Sequence, residues 1–97
     1  MSKRYVLFLA SSNLSEEDLR RFSELVRGRH PASKVIAVKD NPRAVIVKTT
    51  NEVAPLLRDT GPHLRVGKID LVSVLTSGAI GNLKRRASAA AANGEVS

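Results

Sequence analysis

Lys84, Arg85 and Arg86 follow a turn of small residues, Ser77-Gly78-Ala79-Ile80-Gly81, and the combination suits contact with an anion. A strand-like run from Ile69 to Leu75 stops at Ser77-Gly78, and a short amphipathic helix then begins, carrying the three cations. Where a turn opens into a helix, backbone N–H groups without intrahelical acceptors can hold a phosphate oxygen. Gly78-Ala79-Ile80-Gly81 also has the GxxG spacing of a loop that clamps nucleic-acid backbones, but that loop joins two helices whereas this one follows a strand. A plain strand-to-helix turn needing small residues explains the pattern equally well. Cations near a helix C-terminus are favoured by the dipole alone. Three in succession must cover more than one face, and we read them as contacts to RNA.

Little else in the chain is equipped for chemistry. His30 and His63 each neighbour a proline in a connecting segment, and neither has a partner at metal-ligand spacing. Glu16, Glu17 and Asp18 are accounted for by a helix start, Asp40 and Asp59 by element ends, and Asp70 is isolated in a strand. No carboxylate pair suits general acid and base work, and no serine stands in a nucleophile-elbow context. A self-contained enzyme is not expected, nor a cofactor or metal held by the protein itself.

The formal charge of +7 is spread along all 97 residues, which favours polyanionic partners through counterion release; a solvated basic surface without function is the bland alternative. The length suits one domain with a modest core, and 42% apolar content suits a folded chain. The absence of cysteine excludes disulfides, thiolate zinc sites and cysteine nucleophiles. Tyr5–Ala10 after Lys3-Arg4 is too short for a signal-peptide core or a membrane span, so a cytoplasmic protein without a membrane partner is expected.

The elements that must position the cations follow from patterning. Tyr5–Ala10 is apolar on both faces, as in a central strand. Ser15 is an N-cap, Leu14 and Leu19 form a hydrophobic staple, and Leu19, Phe22, Leu25 and Val26 form one apolar helical stripe, with Gly28 as C′ residue and Pro31 beyond it. Lys34–Asp40 and Ala44–Thr49 read as a hairpin around Asn41-Pro42-Arg43. Glu52–Asp59 is a shorter helix, capped by Thr49, Thr50 or Asn51, carrying Pro55 in its first turn and ended by Gly61-Pro62. Leu64–Thr76 holds the last strand, with Gly67 as a point of interruption, and Ile80, Leu83 and Ala87 line one side of a third helix. This β-α-β-β-α-β order predicts an α+β, ferredoxin-like (RRM-like) sandwich with an antiparallel sheet plus a C-terminal helix, spanning residues 1–87, with 88–97 as a tail. Leu19, Phe22 and Leu25 are expected on Leu7, Leu9 or their neighbours, and the third helix on the opposite face.

RRM domains stack bases on aromatics of their central strands. Here Ala44–Thr49 has no aromatic, Tyr5 and Phe8 point to opposite faces, and Phe22 belongs to the helix stripe. Structured RNA, recognised through phosphates and shape, is the expected ligand.

The chain resembles the protein component 2 family of archaeal and eukaryotic ribonuclease P, relatives of which also occur in ribonuclease MRP. Two segments carry the likeness. Lys3-Arg4-Tyr5-Val6 opens the first strand as a Lys-Arg-Tyr-aliphatic run does in that family. Ser77-Gly78-Ala79-Ile80 with Leu83-Lys84-Arg85-Arg86 looks like its Ser-Gly-Thr-Ile turn and basic helix. Ala79 replaces the usual Thr, and the segment between the first two strands is short for the family. The resemblance implies a noncatalytic subunit that pairs with protein component 3. Together they support the ribonuclease P catalytic RNA, which holds the Mg²⁺ and cleaves precursor tRNA at its 5′ leader. RNA contacts would then fall at Lys3, Arg4, Ser77, Gly78, Lys84, Arg85 and Arg86. A homodimer is compatible with this reading. Two rivals stay open: an RNA-binding protein of another ribonucleoprotein, such as one in ribosome assembly, and a ferredoxin-like regulatory or oligomerisation module.

Overall fold

The computed structural model describes residues 3–60 and 64–92. Met1-Ser2, the expected helix stop at Gly61-Pro62, His63, and residues 93–97 of the expected tail lie outside the described residues. The fold is α+β. Its strands are β1 (Lys3–Ala10), β2 (Lys34–Ala37), β3 (Ala44–Thr50), β4 (Leu64–Val66) and β5 (Ile69–Ser77), and its helices α1 (Glu16–Arg29), α2 (Ala54–Thr60) and α3 (Ile80–Ala92). One antiparallel sheet runs in the order β2-β3-β1-β5-β4.

β1 lies between β3 and β5 and is buried on both faces, as its unbroken apolar run requires. Alternation sends Val6, Phe8 and Ala10 to one core with Phe22 and Val26 of α1 and Ala54 and Leu57 of α2. Leu7 goes to a second core with Ile46 of β3 and Leu83 and Ala87 of α3, flanked by Tyr5, Leu9, Leu75 and Ile80. The third helix therefore covers the face opposite the first two, as expected. α1 was expected on Leu7, Leu9 or their neighbours, and it is the neighbours Val6, Phe8 and Ala10 that it meets. Both parities of β1 are apolar, so alternation alone could not choose the face.

α1 begins where its cap predicts. The Ser15 hydroxyl accepts from the Asp18 N–H at 3.1 Å, and the Asp18 carboxylate accepts from the Ser15 N–H at 3.0 Å. Its end differs: Gly28 stays within the helix and His30 is the C-cap, its N–H donating to the Val26 carbonyl at 2.8 Å. β2 ends three residues before Asp40, at Ala37, because Val38 turns into the second core and Asn41 organises the loop. The Asn41 side chain accepts from the Arg43 N–H and donates to the Ala87 carbonyl, both at 3.0 Å.

α2 starts two residues later than Glu52. Thr50 supplies the cap, its hydroxyl accepting from the Val53 N–H at 3.3 Å, and Pro55 occupies the second helical position, where a missing N–H costs little. The expected last strand is two strands. Gly67, at φ +62°, turns the chain in two residues between Val66 and Ile69, adding β4 at the sheet edge. α3 continues to Ala92, through the stretch at which a tail was expected to begin.

Candidate nucleic-acid interface

The helix α3 starts beside Tyr5, whose partner across the sheet is Ser77, and ends over the β2–β3 loop. There the Ser88 hydroxyl donates to Asp40 at 3.2 Å, and Asn41 holds the Ala87 carbonyl. It thus crosses one sheet face diagonally and leaves two corners of that face uncovered.

One corner is a lysine patch. Lys34 stands directly opposite Lys48, Lys48 opposite Tyr5, and Lys3 opposite Thr50, one diagonal step from Lys48. Alternation places the three lysines on the α3 side of the sheet, with Tyr5. Directly opposed like charges destabilise strand pairing. The only ion pairs among the described residues are Arg21–Glu17 and Arg65–Asp70, so no carboxylate relieves the patch. The Lys3 ammonium, first as hydrogen-bonding neighbour and then as like charge, holds Lys48 below the ordinary lysine range, and Lys34 adds a smaller push. An anion seated here would relieve that repulsion.

The cations of α3 splay around the helix, since consecutive residues lie about 100° apart. Lys84 shares the flank of Ser88, toward β2. Arg86 lies on the β5 flank, and Arg85 donates to the Asn82 side chain. Leu75, Asn82, Arg85, Arg86 and Ala89 line a shallow recess against β5. The other uncovered corner adjoins it, with Val72 and Val74 exposed by 47% and 54%. Val74 is the extra residue of a bulge, because Leu7 faces Leu75 while Phe8 faces Ser73.

The Ser77-Gly78 turn satisfies part of its own backbone. The Ser77 hydroxyl accepts from the Ala79 N–H at 3.1 Å, so this backbone donor is already engaged. The φ of Gly78 is not positive, and a Cβ there would stand 3.2 Å from Arg4 Nη1. The small residue leaves room for the Arg4 guanidinium, which donates through Nε to the Asn51 side chain. Lys3 and Arg4 consequently part: Lys3 joins the lysine patch, and Arg4 lies on the α1–α2 side near Gly78.

Lys34 and Lys48 escaped the motif reading. A signal was present, since they lie seven residues before and seven after Asn41, the centre of the hairpin. His30 caps α1, and no group of three His, Cys, Asp or Glu that could hold a metal occurs among the described residues. None of the described helices is long and apolar enough to cross a membrane. No family model matches the chain, and no curated protein matches it significantly.

Proposed function

We propose that this chain is a noncatalytic RNA-binding subunit of a ribonuclease P-type ribonucleoprotein, acting in the cytoplasm beside a catalytic RNA that holds the Mg²⁺. The observation that carries the RNA reading is the concentration of cations on one sheet face, none of them in an ion pair among the described residues. Lys3, Lys34 and Lys48 stand on one side of α3, and Lys84, Arg85 and Arg86 ride on the helix itself. Tyr5, partly buried against the α3 core, is the one aromatic of β1 and β3 on this face, so contact through phosphates fits better than base stacking. The strand order fits a ferredoxin-like sandwich extended by the β4 hairpin, the architecture the resemblance implies. The Lys3-Arg4-Tyr5-Val6 and Ser77–Arg86 segments supply the specific link to ribonuclease P. Exposed Val72 and Val74 offer apolar area to a protein partner, protein component 3 in this reading, with precursor tRNA reached only through the assembled particle.

Titration of structured RNA at several salt concentrations tests the proposal. Replacing Lys84, Arg85 and Arg86 with Ala should weaken binding with an unchanged fold, and the log–log salt slope should fall by roughly 0.7–0.9 for each phosphate that the variant no longer neutralises. Equal affinity and slope in parent and variant would reduce the basic helix to a solvated surface. The isolated protein should leave precursor tRNA uncut, and cleavage by RNA-free preparations would overturn the noncatalytic assignment.

A further inference from the structure

On the other side of the sheet, at the end where β1 begins, Arg4, Asn51, Ala54, Pro55, Arg58 and Thr76 line a groove of about 220 Å³. Its construction is specific. Val6 pairs with Thr76, so Thr76 and Arg4, two residues before Val6, share this face. Ala54 and Arg58 are one helical turn apart on α2 and present the same side of that helix.

Thr76 Oγ1 is buried and has no hydrogen-bond partner. Such a hydroxyl is unfavourable unless something satisfies it, because it loses its water without replacement. Arg4 spends Nε on Asn51 Oδ1, which orients the guanidinium and leaves both terminal nitrogens available, with Nη1 beside Gly78. Among the described side chains, neither Arg4 nor Arg58 is in an ion pair. The groove therefore offers two guanidinium groups, a hydroxyl and the amide nitrogen of Asn51. Its one strong side-chain acceptor, Asn51 Oδ1, already accepts from Arg4 Nε.

A donor-rich, carboxylate-free groove selects an oxyanion with several lone pairs, and paired guanidiniums match phosphate geometry. Its volume falls below the roughly 300 Å³ at which small-molecule pockets begin, enough for one phosphate group but not for a base and sugar. We propose that Arg4, Arg58 and the Thr76 hydroxyl form a phosphate-binding site. It is separate from the α3 face and does not depend on the ribonuclease P reading. The phosphate is either a free or terminal monoester or a diester of a nucleic-acid backbone that passes around the sheet end.

Amide and arginine Nε resonances followed by NMR test the site, with inorganic phosphate as the first probe and 5′-phosphorylated and 5′-hydroxyl oligonucleotides as the second and third. Phosphate should produce saturable shifts centred on Arg4, Asn51, Arg58 and Thr76. Arg58→Gln should weaken them about tenfold, the scale of one lost charge-assisted hydrogen bond. Thr76→Val should weaken them too while melting no lower than the parent, because it only removes an unpaired hydroxyl. Preference for the 5′-phosphorylated oligonucleotide upholds the site as a terminal-phosphate pocket, and equal response upholds it as a backbone contact. Shifts spread over Lys34, Lys48 and Lys84, or unchanged in both variants, would overturn it. The two proposals fail separately: phosphate binding without RNA binding keeps the groove and sinks the subunit reading, and RNA binding through α3 with no phosphate response at Arg4, Arg58 and Thr76 does the reverse.

Discussion

Phe22 shows how much of the larger core rests on one side chain. Its ring is fully buried and meets Phe8 edge-on, with centroids 5.5 Å apart and planes at 69°. Phe22→Ala should cost about 3–5 kcal/mol, a large share of a small domain's stability, read as a fall in Tm. A variant melting within a degree or two of the parent would mean that the ring is not packed as described. Phe22 was legible in the sequence because helical spacing aligns it with Leu19 and Val26. Lys34 and Lys48 were not, since only the hairpin register makes neighbours of residues fourteen apart in the chain. Thr76 carried no signal either. Its unpaired hydroxyl arises from the meeting of β5 with Arg4 and α2, which no local pattern records.

Among the elements, α1 has the most local start. Ser15→Ala should cost about 1 kcal/mol near neutrality through the lost cap. The cost of Asp18→Ala should depend on pH. The Ser15 backbone N–H, then its hydroxyl, holds the Asp18 carboxyl below its ordinary value of 3.8, with Arg21 contributing less. A carboxylate with a depressed folded pKa stabilises fully above the unfolded value and progressively less as pH falls through the folded one. The stability gap between parent and Asp18→Ala should therefore be constant near neutrality and close below pH 3.8, as thermal melts across that window will show; a gap that widens in acid would refute the capping box. Caps and stripes are readable because their partners lie within four residues. The β4–β5 hairpin was less so: Gly67 fits a bulge as well as a turn, and only its φ of +62° distinguishes them. The face chosen by α1 was hidden for the same kind of reason, both sides of β1 being apolar.

At the scale of the molecule, the second core and the basic surface are one structure. Leu83, fully buried under α3, seats the helix on Leu7 and Ile46, and the neighbouring residues of that helix are its cations. Leu83→Ala should cost about 2–5 kcal/mol and, although it touches no ligand, weaken RNA binding by loosening the helix that carries Lys84, Arg85 and Arg86. Paired melting and binding curves would separate this from a purely structural loss. Full affinity in a destabilised variant would mean that the helix does not need its seat.

The place of β1 has a further consequence, for the order in which the molecule can assemble. Synthesised early, it must wait for both neighbours: Lys3 meets Thr50 across one edge and Tyr5 meets Ser77 across the other. Pairings of such long sequence separation form slowly, because each must close a long loop before it is rewarded. During synthesis, Val6-Leu7-Phe8-Leu9-Ala10 is therefore an apolar edge open to other chains, until Ile69–Ser77 emerges and shuts it.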